Sequence, residues 1–333
     1  MRIAAREGIQ RLVMGGMHRG RLATLAVAFG KDPAILAAEL VGRDLSDGAT
    51  FTGDVPYHLG YRSEIDIDGN ALDVSILPHP SHLIVVAPVA LGYARAEARQ
   101  SESDAAATLC LLAHTDAAFS GQGLSAELLQ IGGLAGYTAQ GSVHLVVNNQ
   151  IGFTTLPSEG RSSRYCTDFA KSAGIPVLHV NGDDPIAVAR AAGLAFAWRQ
   201  RFSKDIIVDL VCYRRFGHNE LDEPRFTQPE MWAQIDDQPS VRSKFMKTLQ
   251  TSGYDFADRA ARVSDDFVGR LKTGFDNAAT VAPNDLSIQA NGWSHMPSAA
   301  EGDILRTVVT GVPLKRLVEL GNLSNVVRIV SIG

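Results

Sequence analysis

The architecture follows from one stretch, Thr108-Leu109-Cys110-Leu111-Leu112-Ala113-His114-Thr115-Asp116, an apolar run that ends in an acid. A second run, Val143-His144-Leu145-Val146-Val147, ends at Asn148-Asn149. Short apolar runs of this kind are typical of buried strands in a parallel sheet. Because ligands of such sheets bind beyond the carboxyl ends of the strands, Asp116 and Asn149 are predicted to converge on one site.

Strand-like and helical segments alternate along the rest of the chain. Apolar runs predict strands at 10–14, 73–77, 107–113, 143–147, 176–180 and 205–213. Helical patterns predict helices at 21–29, 33–41, 123–133, 185–201, 229–250 and 256–279. This alternation predicts an α/β fold with a mostly parallel sheet and helices on both faces.

The carboxy-terminal part of the chain is harder to assign. The pattern weakens after residue 282, so residues 1–282 are predicted to form one domain. Residues 283–333 are predicted to be a linker and the start of a following region. Within that tail, Gly311-Val312-Pro313 opens a short predicted helix, and the β-branched run at 326–332 predicts one more strand.

Composition excludes several classes of protein. The 333 residues are 45% hydrophobic, which is enough for a large core. The 31 basic and 36 acidic residues give a net charge of −5 without any basic stripe, so we expect no nucleic-acid partner. The longest apolar stretch, 83–94, is too short to span a bilayer and is interpreted as buried core. The 3 cysteines show no metal or redox spacing and are interpreted as plain buried thiols.

An acid and an amide at the ends of two strands offer hard oxygen ligands. Such ligands suit Mg²⁺, which completes its shell with phosphate oxygens and water, so the pair suggests a metal-held diphosphate. Turn and cap chemistry is the ordinary alternative for Asp116 and Asn149. The run Gly121-x-Gly123-x-x-Ala126 also mimics a dinucleotide fingerprint, but no acid lies between residues 128 and 158 to bind the ribose, which counts against NAD or FAD.

Histidines and arginines occupy several turn-like segments. The segments are His18-Arg19-Gly20-Arg21, Tyr57-His58-Leu59-Gly60, Pro80-Ser81-His82 and Gly217-His218-Asn219-Glu220. An arginine can hold a carboxylate with two hydrogen bonds and a neutral histidine can move protons near pH 7, so these loops suggest a site for an acidic substrate. The alternative, a metal cluster of His218 with Glu220, Asp222 and Glu223, lacks a helical His-Glu-x-x-His pattern.

Longer motifs resemble those of a known family. They are Met17-His18-Arg19-Gly20-Arg21-Leu22, Gly53-Asp54-Val55-Pro56-Tyr57-His58, Pro80-Ser81-His82-Leu83, Asp116-Ala117-Ala118-Phe119-Ser120-Gly121-Gln122-Gly123, the run 148–155, and the run 209–227. In this order, over about residues 8–320, they resemble the thiamine-diphosphate-dependent first component of 2-oxoglutarate dehydrogenase and its 2-oxoadipate-type relatives. The resemblance covers the diphosphate-binding domain alone.

The resemblance implies roles for individual residues. Asp116 and Asn149 would bind Mg²⁺ through their side chains, and Ile151 through its carbonyl. The cofactor would be lined by Ser81, Leu83, Asp116, Ala117, Ala118 and Asn149. Arg19, His58 and Ser81 would face the carboxylates of the substrate. His218, His58, His82 and His18 would form the catalytic group, with His218 handling protons.

The resemblance also implies the chemistry and the partners. Thiamine diphosphate would serve as the electron sink for decarboxylation of a 2-oxo dicarboxylic acid, and the acyl group would pass to lipoamide on the lipoyl-bearing succinyltransferase component. The substrate would be 2-oxoglutarate, with 2-oxoadipate, an acid of lysine degradation, as the alternative. A homodimer is expected, with no membrane partner, in the mitochondrial matrix or, alternatively, a bacterial cytoplasm.

Departures from the family pattern qualify this expectation. Thr115 stands where the family usually has a glycine, directly before Asp116, the acid that would bind the metal. A side chain at this position would crowd the phosphate of the cofactor. His79, Ile84 and Ala23 also differ from the residues usual at their positions. The pyrimidine-binding domain that supplies the activating glutamate is expected to lie outside these residues. The 333-residue chain alone is therefore expected to show little or no decarboxylase activity, and a non-catalytic module is the alternative.

Overall fold

The structure is a computed structural model that describes residues 1–43, 45, 55–79, 84–100, 105–282, 302 and 306–330. The chain divides into two compact units, Met1–Gln289 and Ala290–Gly333. The predicted boundary after residue 282 stays a prediction, because residues 283–301 are not among those described. Three predicted site residues, Ser81, His82 and Leu83, also lie outside the described residues.

Seven strands form one sheet in the larger unit. They are β1 (Arg11–Gly16), β2 (Tyr61–Ile67), β3 (Asn70–Ile76), β4 (Thr108–Thr115), β5 (Ser142–Asn148), β6 (Val177–Asn181) and β7 (Ile206–Val211). Their order across the sheet is β2-β3-β1-β4-β5-β7-β6. All neighbours are parallel except β2 and β3, which are antiparallel and joined through Asp68-Gly69. Both turn residues have positive φ, 56° and 84°, which suits a tight Asp-Gly hairpin turn.

The described residues also form twelve α-helices. They are α1 (Arg2–Arg6), α2 (Arg21–Ala23, continued by a π-helical turn Thr24–Ala28), α3 (Pro33–Leu40), α4 (Val86–Gln100), α5 (Asp116–Gly121), α6 (Gly123–Gly132), α7 (Pro157–Gly160), α8 (Pro185–Phe202), α9 (Pro229–Asp236), α10 (Val241–Thr251), α11 (Ala257–Asn277) and α12 (Leu314–Val330). The start of α8 is encoded locally. The Asp184 side chain accepts hydrogen bonds from the backbone N–H groups of Ile186 and Ala187, and Pro185 occupies the first turn.

Apolar residues cover both faces of the sheet. Along β1, Val13 belongs to a core cluster shared with α4 and α6, whereas Leu12 and Met14 belong to a second cluster that Phe196 of α8 joins. Side chains of a strand alternate between its two faces, so the two clusters lie on opposite faces. The predicted α/β fold with a mostly parallel sheet and helices on both faces is therefore confirmed.

Arg199 and the pair His114 and His144 are among the polar side chains that this core buries. The guanidinium of Arg199, 1% exposed, donates hydrogen bonds to the carbonyls of Ala106, Thr108 and Gly141. His114 of β4 and His144 of β5 lie with Nε2 and Nδ1 3.1 Å apart. Burial, and then the neighbouring His144, keep the pKa of His114 well below its usual range.

The six predicted strands are confirmed, and most predicted helices are present. The helix predicted at 229–250 is instead two, α9 and α10, because the segment 237–240 contains Pro239 and ends the first. The strand predicted at 326–332 is wrong over its described part, because α12 continues through Val330. The stretch 83–94, expected to be buried core, is described from residue 84 and is only partly buried, because Val85 and Val89 are 59% and 57% exposed. From Val86 it is the start of α4, whose other face is buried. No helix of the described residues is long and apolar enough to cross a bilayer.

Candidate functional site

The site lies at the carboxyl edge of the parallel sheet. Thr115 at the end of β4 pairs with Val147 of β5, and Asn148 of β5 pairs with Val211 of β7. The segments that follow these three strands therefore leave the sheet side by side. The segment after β1, which carries His18 and Arg19, leaves at the same edge because β1 is parallel to β4.

Asp116 is the first residue of α5 and its side chain is 1% exposed. Its Oδ1 atom is buried without a hydrogen-bond partner, and its Oδ2 atom lies 3.5 Å from Nη1 of Arg161. A buried carboxylate oxygen without a partner costs free energy, so a ligand is expected for it. This orphaned oxygen is the strongest sign of a binding site at this edge.

Burial raises the pKa of Asp116 from 3.8 to about 6. The guanidinium of Arg161 and the backbone amides of Asp116 and Ala117 oppose this shift, and Asp209 adds to it. Acids with strongly shifted pKa values cluster at functional sites, because the surroundings of such an acid suit the bound ligand better than they suit the ligand-free protein. A bound cation would lower the pKa of Asp116 again, because it stabilises the carboxylate form.

The loop after β5 closes over the same point. Asn149 is buried, and its Oδ1 accepts a hydrogen bond of 3.3 Å from the backbone N–H of Ile151. A Cβ added to Gly152 would lie only 2.6 Å from Cβ of Ala117, so the loop packs directly on the start of α5. Glycine is required at 152 by this close approach. Asp116 and the Asn149–Ile151 segment are thereby brought together.

The donors at this point are a carboxylate, an amide oxygen and a backbone carbonyl. These are the ligands that Mg²⁺ prefers, and the unpartnered Oδ1 of Asp116 fits a cation ligand. Within the described residues no group of three or more His, Cys, Asp or Glu side chains converges as a metal cluster. The alternative cluster of His218 with Glu220, Asp222 and Glu223 therefore has no support, since all four residues are described.

The predicted histidines form a second group. The ring centroid of His18 lies 6.2 Å from that of Tyr57 and 6.1 Å from that of His58, and the Tyr57 and His58 rings meet edge to face. Arg21, buried beneath them, donates to the carbonyls of Gly16, Leu59 and Leu77. Through these hydrogen bonds Arg21 connects the end of β1, the turn that carries His58 and the end of β3.

Arg19 and His218 join this group to the loop after β7. The Nη2 of Arg19 donates a 2.9 Å hydrogen bond to the His218 carbonyl. The His218 ring packs edge to face on Phe153 with centroids 4.5 Å apart, and Nη2 of Arg214 donates to the Phe153 carbonyl at 2.9 Å. Because Phe153 follows Asn149 on the same loop, the histidine group borders the Asp116 site.

Arg19 and Arg214 bring two positive charges to this border, where Glu220 and Asp222 lie near them. Burial lowers the pKa of Arg214, and the nearby Arg19 lowers it further against the effect of Asp222. Burial likewise lowers the pKa of Arg19, against Glu220. Two partly desolvated guanidinium groups side by side favour an anion between them. Arg19, His218 and Trp232 line an open cleft of about 760 Å³ beside them, whose charged lining also includes Arg215, Arg225, Glu220, Asp222, Glu223 and Asp236 but not Arg214.

Most of the predicted site residues that the structure describes are brought together. Asp116, Ala118, Asn149 and Ile151 are buried, whereas Ala117 is exposed on α5. The strand ends predicted this grouping of Asp116 with Asn149 and Ile151. At Thr115 the backbone is extended, with φ −95° and ψ 151°, so no glycine-only conformation is needed there.

Three residues of the site were missed in the sequence: Arg161, Arg214 and Phe153. Arg161 contacts Asp116 across a loop of irregular structure, and no spacing rule relates the two. Arg214 follows β7 directly, so its place at the carboxyl edge of the sheet was a usable signal. Phe153 has a φ of 54°, a left-handed backbone that sequence does not reveal for an aromatic residue.

The fold and the site together define the class. A parallel α/β sheet with an acid and an amide after neighbouring strands is the thiamine-diphosphate-binding fold that the sequence predicted. Residues 17–281 match the family described as "Dehydrogenase E1 component", and the chain belongs to this family.

Curated relatives agree with that assignment. The chain is 40% identical over 325 residues to proteins described as "2-oxoglutarate dehydrogenase E1 component" from Brucella ovis, Brucella canis and Brucella melitensis. The match covers 94% of this chain and 32% of each relative. The chain thus spans about a third of the length of these relatives.

Proposed function

We propose that this chain binds thiamine diphosphate through Mg²⁺ as part of a 2-oxo acid dehydrogenase. The observation that carries the proposal is the buried Asp116, whose Oδ1 has no partner at the carboxyl edge of the sheet. The side chains of Asp116 and Asn149 and the carbonyl of Ile151 would hold the metal. Ala117 and Ala118 would line the cofactor beside it, together with Ser81 and Leu83, which lie outside the described residues.

The cofactor, when bound, supplies an electron sink for the carbanion left by loss of carbon dioxide. The residues of this chain bind and orient what reacts there. Arg19 and Arg214 offer only N–H donors, and a substrate carboxylate bound between them would relieve their mutual repulsion. This supports an acidic substrate, with His58 as a further contact to its carboxylate.

His218 is the best placed group for moving a proton. Its Nδ1 atom faces Nη1 of Arg214 at 3.5 Å. Because a guanidinium can only donate, Nδ1 acts as the acceptor and the proton of a neutral His218 lies on Nε2. The Phe153 ring fixes the imidazole plane from the side. His218 would therefore offer Nε2–H to the substrate, with His18 and His58 beyond Arg19, and with His82, which lies outside the described residues.

The names of the relatives support 2-oxoglutarate as the substrate, and 2-oxoadipate is the competing acid. The lipoyl-bearing succinyltransferase is the proposed acyl acceptor. A homodimer is supported by three apolar side chains on the loop beside the cleft, Phe216, Leu221 and Phe226, which are 76%, 95% and 87% exposed. The compartment, mitochondrial matrix or bacterial cytoplasm, stays a prediction.

Calorimetric titration with thiamine diphosphate tests the cofactor proposal. We expect saturable binding in Mg²⁺, none in EDTA, and none for Asp116→Asn. Asp276→Asn, on the exposed face of α11, is the matched control and should bind like the wild type. A folded wild-type chain that fails to bind would support a non-catalytic module, and binding of NAD instead would support an oxidoreductase of another class.

The substrate is tested on a polypeptide of the relatives' length that carries these residues. The specificity constants for 2-oxoglutarate and 2-oxoadipate are compared, with a branched-chain 2-oxo acid as the negative control. Arg19→Met is expected to raise KM for either dicarboxylic acid because it removes a donor to the carboxylate. A preference for the branched-chain acid would refute the assignment.

A further inference from the structure

Arg161 is a buried cation beside the proposed metal ligand. It follows α7 directly, and its side chain is 12% exposed against 1% for Asp116. Its Nη1 lies 3.5 Å from Oδ2 of Asp116. The guanidinium therefore neutralises, from one side, the carboxylate that would bind the metal.

This ion pair is looser than the other deeply buried ion pair of the described residues, although half-buried Arg11 and Glu97 also lie 3.5 Å apart. Lys31 and Glu39, buried to a similar degree, lie 2.5 Å apart, and Arg225 holds both oxygens of Asp236 within 3.0 Å. The Lys31 pair leaves one buried atom without a hydrogen-bond partner, Oε2 of Glu39, whereas the Arg161 pair leaves one on each side, Nε of the arginine and Oδ1 of the acid. A charged pair built for stability alone would satisfy these atoms.

The same place cannot hold two cations. A divalent ion bound to Asp116 would lie next to a guanidinium in surroundings where charge is poorly screened, so the two repel strongly. Arg161 leads into residues 162–164, which are exposed, so solvent is available to receive its side chain. The pair can therefore open when a stronger cation arrives.

We propose that Arg161 is the resident counter-ion of the cation site, pairing with Asp116 in the cation-free protein and displaced when a divalent ion binds. This rests on the proposed function, since it assigns a role at the same site. Arg161 lowers the cation affinity of the empty site and limits the cost of keeping Asp116 buried without metal.

Binding of Mn²⁺ alone tests this, with the free ion measured by electron paramagnetic resonance on the full 333-residue chain. Arg161→Met removes the charge and keeps much of the stem, and Arg161→Gln provides a second, polar replacement. Both are expected to bind Mn²⁺ at least tenfold more tightly than the wild type. The matched control is Arg164→Met, an exposed arginine whose guanidinium lies 5.4 Å from the Tyr165 ring centroid, and it should change affinity less than twofold. Circular dichroism checks that each variant is folded.

The outcomes separate two kinds of failure. If Asp116→Asn abolishes binding but the Arg161 variants bind Mn²⁺ like the wild type or more weakly, the counter-ion role is refuted and the cation site stands. If no protein binds Mn²⁺, wild type and Arg161→Met included, the cation site itself is refuted and the inference falls with it.

Discussion

Asp116→Asn should make the cation-free protein more stable while it destroys the proposed cation site. The substitution keeps the shape of the side chain and removes its charge. Burial raises the pKa of Asp116 from 3.8 to about 6 even with Arg161 beside it. That shift corresponds to about 3 kcal/mol by which the folded state disfavours the ionised form at pH 8.

The pH dependence gives this prediction its sign. The folded state keeps the Asp116 proton to a higher pH than the unfolded state, whose acid titrates near 3.8. The free energy of unfolding of the wild type therefore decreases as pH rises from about 4 to about 6, and the loss is complete above that range. An asparagine has no such loss, so the stability advantage of the variant is about 1 kcal/mol at pH 4.5 and about 3 kcal/mol at pH 8.

Urea denaturation followed by circular dichroism measures the effect, with EDTA present throughout so that no cation contributes. Asp276→Asn, an exposed acid of α11, is the control and should change the free energy of unfolding by less than about 0.5 kcal/mol at both pH values. A variant that is less stable than the wild type at pH 8, or a stability difference that does not grow with pH, would refute the reasoning. Saturating Mg²⁺ with thiamine diphosphate should then stabilise the wild type and Asp276→Asn but not Asp116→Asn.

Other perturbations test the scaffold around the site. Arg199→Met leaves several buried carbonyls without donors, so it should lower the free energy of unfolding, measured by urea titration, by about 3 kcal/mol or more. The control Arg201→Met, at an exposed arginine of the same helix, should lower it by less than about 0.5 kcal/mol. His114 stays neutral when folded, so the unfolded state takes up a proton below pH 6.5. The wild type should lose about 1.4 kcal/mol more than His114→Phe between pH 7.5 and pH 5.5 in urea titrations, and equal losses would contradict the buried neutral histidine. Thr115→Gly should lower the Kd for thiamine diphosphate several-fold in calorimetry if the side chain crowds the phosphate, and weaker binding would show that it does not.

The sheet was largely predictable from sequence because its central strands are buried on both faces. Apolar runs marked β1, β3, β4, β5, β6 and β7 without help from partners. The missed strand, β2, has the sequence Tyr-Arg-Ser-Glu-Ile-Asp-Ile, whose polar residues suit an edge but not an apolar run. The tail at 326–330 was misassigned because β-branched residues favour strands only where a neighbouring strand can pair with them.

The site was predictable to the extent that it follows from strand ends. Asp116 and Asn149 could be placed because parallel strands end at one edge. Arg161 could not be placed, since its contact with Asp116 depends on the path of an irregular loop. The precise approach of Gly152 to Ala117 depends on the same loop. Side-chain contacts between loops are set by tertiary packing, which spacing along the chain does not encode.

The strand order also has a consequence for how the molecule is made. Within the described residues β6 pairs with β7 alone, yet β7 is synthesised after β6 and α8. During synthesis β6 therefore waits without a partner, and non-local pairing of this kind folds slowly. The part of the site that carries Asp116, Asn149 and Arg161 can therefore form on β4 and β5 first. The hydrogen bond from Arg19 to the His218 carbonyl forms only after the loop that follows β7 has been synthesised. Pulse-labelled hydrogen exchange should show β6 and β7 gaining protection together and later than β4; earlier protection of β6 would contradict this order of assembly.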